Sequence, residues 1–169
     1  MWQRMLRAAK LDAAFYEMVE ADPSYLRESF LVVVVAAVTS GIGMTIAYPG
    51  ETVGRLLTGI LATLFFWVAW AGITLWVGTN ITDTAETRSD MGEMLRVLGY
   101  AHTPQVLILF VFIPVLGPLL ASAASVWSLF AGVVAIRQAL DFNTARALIT
   151  TFIGWVVVLA LRMLLLFLF

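Results

Sequence analysis

Charge-free apolar runs divide this chain. No charged residue lies between Glu28 and Glu51, nor between Arg55 and Asp83, and these stretches contain apolar runs at 30–48 and 57–78. Crossing a hydrocarbon core of roughly 30 Å takes a helix of about 20 mostly apolar residues, so each run predicts one span. The next charge-free stretch, from Arg96 to Arg137, is too long for a single helix, and Pro114, Gly117 and Pro118 sit near its middle. Proline removes a helical donor and clashes with the preceding turn, and Gly-Pro is a break signal. A tight hairpin is therefore predicted, with spans at 98–116 and 119–136; a re-entrant hairpin is the alternative. The last run, 147–169, is interrupted only by Arg162. Neither the two-residue alternation nor the turn spacing of a membrane barrel is present. The expected fold is an all-α, polytopic transmembrane bundle of five spans. Residues 1–28 form a cytoplasmic amphipathic segment and 29–169 the bundle.

The polar segments carry helix signals of their own. Trp2, Met5, Leu6 and Ala9 recur at helical spacing beside Arg4, Arg7 and Lys10. That pattern suits an interfacial helix resting on anionic headgroups, or equally a cap packed on the bundle. Asp12 is placed to cap a second short helix whose apolar stripe is Phe15, Met18 and Val19, and Asp22-Pro23 to restart a third. Asp90 and Glu93 have the spacing of a capping box leading into span three. With Asp83 and Glu86 they make a four-carboxylate loop, a pattern that is more often a solvated face than a cation site. Residues 1–29 are too long and too acidic to read as a cleavable signal.

Composition narrows the classes. Hydrophobic residues make up 62 % and charged residues 12 %, with net charge −1 and mean hydropathy +0.95. Ordinary soluble domains carry about 25 % charged residues. A soluble domain, a disordered chain and a nucleic-acid binder are excluded, the last for want of a basic patch. Cysteine is absent and histidine occurs once, which excludes disulfides, thiolate sites and multi-histidine metal sites. Eight of the ten Lys and Arg fall in the segments before span one, after span two and after span four. By the positive-inside rule the N-terminus is cytoplasmic and the C-terminus lies on the far side.

A few residues carry candidate chemistry. Arg162 lies within the last span, where insertion scales put a central arginine at about +2.5 to +3.5 kcal/mol. Glu51 is its expected protein partner if the two form an ion pair; lipid contact or snorkelling to the nearby interface is the simpler reading. His102, near the cytoplasmic boundary, is the one candidate cofactor ligand, although a lone histidine more often bonds a neighbour. Pro104, Pro114 and Pro118 free backbone carbonyls, as the broken helices of transporters do. Ala37 with Gly41, Ala36 with Ser40, and Ala121 with Ser125 have the small-xxx-small spacing that packs helices in lipid. Phe66, Trp67 and Trp70 offer a surface for a pigment or, more simply, for another helix. No Ser/His/Asp set, phosphate loop or intramembrane carboxylate pair appears, so no enzymatic activity and no cofactor are expected.

Several phrases together resemble the bacterial branch of the Yip family, the Ypt/Rab-interacting membrane proteins. These are Leu11-Asp12 through Phe15-Tyr16, Val19-Glu20 and Asp22; Gly99-Tyr100 followed by Pro104; Ser128-Leu129 through Gly132-Val133 to Arg137-Gln138-Ala139-Leu140; and the run from Asn143 to Leu148. The chain lacks the Asp-Leu-Tyr-Gly-Pro-type cytoplasmic motif of the eukaryotic relatives, which act in vesicle traffic and bind small GTPases. The resemblance implies a five-span protein of the bacterial cytoplasmic (inner) membrane without known catalysis. The expected role is a noncatalytic scaffold or accessory subunit of a larger complex. Its partners would be membrane lipids and other integral membrane subunits or itself, and no nucleic acid. A small-solute transporter or channel is the alternative, and a pigment- or cofactor-binding subunit a weaker one.

Overall fold

The computed structural model describes residues 1–48, 50, 53–83, 87 and 89–168, without the side chains of Leu166 and Leu168. Among them every regular element is helical. Two short helices, α1 (Trp2–Ala9) and α2 (Ala13–Ala21), precede the long α3 (Tyr25–Ala47) and α4 (Val53–Asn80). Then come α5 (Met91–Ala101), a 3-10 helix (Thr103–Phe112), α6 (Leu116–Ala139) and α7 (Thr144–Leu168). Five segments are long and apolar enough to cross a membrane, with α5 and the 3-10 helix together forming the third.

The caps follow from the sequence. Leu11 takes a positive φ of 60° and ends the first helical run; the Asp12 carboxylate then accepts the Phe15 N–H at 3.1 Å and starts α2. Asp90 and Glu93 exchange side-chain and backbone hydrogen bonds at 2.9 and 3.0 Å, a complete capping box. That box starts α5 at Met91, seven residues before the expected apolar start of span three, and so puts Arg96 inside a helix.

The third span departs from the expected continuous helix. Pro104 has no N–H to give to Tyr100, so the α ladder stops at Ala101 and the chain continues as ten residues of 3-10 helix. Such runs rarely exceed three or four residues, and each residue rises about 2.0 Å. The long 3-10 run is held from outside. Gly43 of α3 sits so close that a Cβ there would lie 2.5 Å from the Ile108 carbonyl oxygen and 2.6 Å from that of Leu109. The expected hairpin is present: the 3-10 helix ends at Phe112, Val115 adopts φ 65°, and α6 begins at Leu116. Pro118 falls in the first turn of α6, where its missing donor costs nothing.

The core is biased to one end. Phe15, Tyr16 and Val19 of α2 and Val97, Leu98 and Tyr100 of α5 pack with Ile136, Ala139 and Leu140 of α6, all fully buried. Phe15 meets Tyr100 edge-on at 5.0 Å, and Tyr25 flanks both rings. Away from this end the spans turn large apolar side chains outward, among them Leu61, Phe65, Leu119, Phe130, Phe152 and Met163. A soluble fold does not leave so much apolar surface uncovered; hydrocarbon covers it here.

Candidate functional site

Two features stand out from the packed framework: a clamped N-terminal cap and a polar cavity between the spans. The cap is held by Arg96, which is only 5 % exposed. Its Nε donates to the Val19 carbonyl at 3.0 Å and its Nη2 to the Glu20 carbonyl. These acceptors belong to the last turn of α2, where helix carbonyls lack partners and a cation is favoured. Arg4 donates to Glu28 at 2.5 Å and lies over the Tyr25 ring; Arg7 donates to Asp12 at 2.7 Å and lies over Phe15. Trp127 Nε1 of α6 donates to the Ala9 carbonyl at 2.7 Å. Two of the three basic residues expected at a lipid interface are thus engaged with carboxylates of the chain itself. Lys10 is exposed at the end of α1, and Trp2 is 65 % exposed.

Carboxylates gather where α2 meets α5 and the end of α6. Burial, reinforced by Asp141, Glu93 and Glu17, pushes the Glu20 carboxyl up to about 7, against the opposing pull of Arg96. Its ordinary value is 4.5. Asp12 moves the other way, because the Arg7 hydrogen bond favours its ionised form. Among the described residues no group of three His, Cys, Asp or Glu is arranged to hold a metal ion.

The cavity measures about 380 Å³ and all five spans line it. Ser40 and Met44 come from α3, Thr63, Phe66 and Trp70 from α4, and His102, Gln105 and Ile108 from the third span; Ser125 and Leu129 come from α6, and Trp155, Val158 and Arg162 from α7. A second cavity of about 250 Å³ shares Ser40, Met44 and Arg162 with it and adds Arg55. His102 sits at the joint between α5 and the 3-10 helix, 7 % exposed, with Nδ1 2.8 Å from the Leu98 carbonyl oxygen. A carbonyl only accepts, so Nδ1 carries the proton and Nε2 is left as an acceptor. The imidazole meets the Trp70 ring edge-on at 5.9 Å.

Arg162 points inward. Side chains on a helix lean toward its N-terminus, and here the guanidinium carbon lies 5.5 Å from the centroid of Phe66, a residue near the middle of α4. Such a cation–π contact is worth about 0.5–2 kcal/mol. The residue itself is exposed. Glu51, the expected partner, lies outside the described residues. Among the described residues no carboxylate lines either cavity.

The small-residue pairs fall in different settings. Ala36 and Ala37 are buried in α3, Gly41 faces the Leu56 side chain, and Ser40 Oγ donates across to the Gln105 carbonyl at 3.3 Å. Ser125 bonds its own helix at Ala121 and lines the cavity, while the buried stripe of α6 runs through Ala124, Ser128, Ala131 and Ala135. Gln105 and Thr63 were not singled out by sequence reasoning, and Ser40 only as a packing residue, since isolated polar residues in apolar runs carry no periodic signal. Arg96 counted only as a loop charge; the capping box six residues upstream was the signal that it belongs to a helix.

The fold and these features define a class: a multi-pass helical membrane protein with a cap docked on one end. Residues 10–166 match the Yip1 domain family, and the chain belongs to that family. No curated protein and no solved structure matches it. The phrases that carry the resemblance meet in space, for Phe15, Tyr16, Tyr100, Ala139 and Leu140 are all fully buried in one cluster.

Proposed function

We propose that this chain is a noncatalytic scaffold or accessory subunit of a bacterial inner membrane, with its N-terminus cytoplasmic and its C-terminus on the far side. One observation carries the reading. The cap is fixed by buried and paired arginines, while Trp2, Leu6 and the outer faces of the spans present unpartnered apolar surface. A rigid cap with an exposed aromatic, on a bundle with broad apolar faces, suits lateral association with lipids, other integral subunits or a second copy. The positions of Arg137 and Arg146, at the end of the bundle that carries the cap, support the orientation. No cofactor enters this reading.

Affinity purification from native membranes in mild detergent, followed by a native gel and identification of each band, tests the role. A stoichiometric set of membrane partners, reduced when Trp2 and Leu6 are replaced by serine, is expected. A lone colourless monomer overturns it. The cavity bounded by all five spans favours a second reading, a small-solute transporter, and flux into proteoliposomes separates the two.

A further inference from the structure

The interior cavity asks for a ligand that the scaffold reading does not supply. Its one formal charge among the described lining residues is the Arg162 guanidinium, and the adjoining cavity contributes Arg55. Trp70 is 8 % exposed, and its indole N–H is buried without a hydrogen-bond partner. That group only donates. The hydroxyls of Thr63 and Ser125 spend their protons on their own helices, at the Gly59 and Ala121 carbonyls. The wall therefore offers the planar Arg162 cation together with the Gln105 amide; the Trp70 N–H is closed off from the cavity, its edge of the ring lying against Gly132 and Gly154. The remaining ring nitrogen of His102 is an acceptor.

We propose that this cavity binds a phosphate-class anion, with the Arg162 guanidinium as its charge partner and Gln105 and His102 as the hydrogen-bonding groups beside it. The guanidinium fork fits two oxygens of one phosphate. A volume of about 380 Å³ far exceeds a halide and accepts a phosphate with an attached polar group. The neutral His102 Nε2 suits a hydroxyl, either that of a protonated phosphate or that of a glycerol headgroup. A cation placed in the middle of a membrane is costly, and its contact with Phe66 neutralises no charge. A bound anion does. The anion can come from a phospholipid headgroup entering between spans or from free phosphate; the chemistry of the wall is the same for both.

The full chain in phosphatidylcholine nanodiscs tests this. Phosphatidylglycerol is titrated in, and inorganic phosphate is titrated separately, with bound lipid counted by native mass spectrometry and tryptophan emission recorded. The expected result is one phosphatidylglycerol retained per chain in preference to phosphatidylcholine. Arg162→Gln should weaken that preference about tenfold or more, the loss expected of a charge-assisted hydrogen bond. Arg146→Gln, whose guanidinium bonds the Asp83 carbonyl outside the cavity, should leave it unchanged. An emission change with inorganic phosphate alone, lost in Arg162→Gln, supports the site and assigns it to the free anion. If Arg162→Gln does not fold, His102→Gln and Gln105→Leu carry the test, each expected to weaken retention severalfold. Wild-type retention in Arg162→Gln, or in both of the other variants, overturns the proposal, as does the absence of any response to either probe. Partner capture plays no part in these measurements, so the scaffold reading stands or falls separately.

Discussion

Replacing Arg96 by methionine should release the N-terminal cap while leaving the spans intact. Methionine preserves much of the aliphatic stem and removes the guanidinium. Two charge-assisted hydrogen bonds disappear, those to the Val19 and Glu20 carbonyls. Each such bond is worth about 1.5–3 kcal/mol, and a buried acceptor left without its partner adds its own desolvation cost. Part of that loss is recovered, because the freed carbonyls lie at the end of α2 and reach water once the cap lifts. A net cost of about 3–5 kcal/mol to cap docking follows. That raises the undocked population roughly a hundredfold to a few thousandfold.

Hydrogen exchange resolves the effect element by element. The α2 amides should exchange at least a hundredfold faster in the variant, while those of α7 keep their wild-type rates. Arg96→Lys should fall between, because an ammonium keeps the charge and loses the fork that serves two carbonyls. Arg96 also lowers the Glu20 pKa, so the methionine variant should push that carboxyl further up. Protection of α2 within about threefold of wild type would refute the argument that this arginine holds the cap.

Cap stability should also depend on pH through Glu20, whose carboxyl stands at about 7 against an ordinary 4.5. The folded cap holds a proton that the released segment gives up. The stabilising contribution is therefore fully present below pH 4.5 and lost as pH rises through 7; Glu20→Gln should flatten the exchange rate of α2 over that window. A second pair of variants probes the 3-10 span. Gly43→Val places side-chain atoms against the Ile108 and Leu109 carbonyls and should lower the thermal midpoint sharply, whereas Gly59→Ala, with nothing within 4 Å of the added carbon, should leave it unchanged; equal effects in a detergent melt would contradict the close approach.

What was legible in the sequence obeyed hydrophobic length and local capping chemistry. The five spans, the hairpin at Pro114 and Pro118, the Asp12 cap and the Asp90–Glu93 box depend on neighbours within a few residues, so the chain declares them. The conformation of the third span does not. Pro104 marks where an α ladder stops, but whether a span then kinks, ends or tightens into 3-10 depends on what lies across from it. Here that is Gly43, some sixty positions away. Arg96 shows the same limit. Counted as a charge near a membrane boundary it reads as loop, and only the position of α2 turns it into a buried clamp.

Arg96 and Arg162 resolve a single physical problem in opposite ways. Arg96 meets two backbone carbonyls that its own charge satisfies, and the result is a closed contact. Arg162 meets an aromatic face and a cavity lined by all five spans, and its charge is left without a carboxylate among the described residues around it. The first arrangement is what a structural arginine requires. Among the described residues the second arrangement supplies no counter-charge, and an insertion cost of about 2.5–3.5 kcal/mol is not offset by a cation–π contact worth about 0.5–2 kcal/mol. The difference points to a counter-anion, and the Gln105 amide in the same wall gives that anion a further donor. A scaffold that holds an anionic headgroup between its spans would couple their packing to the lipid around it, and so acquire sensitivity to its membrane.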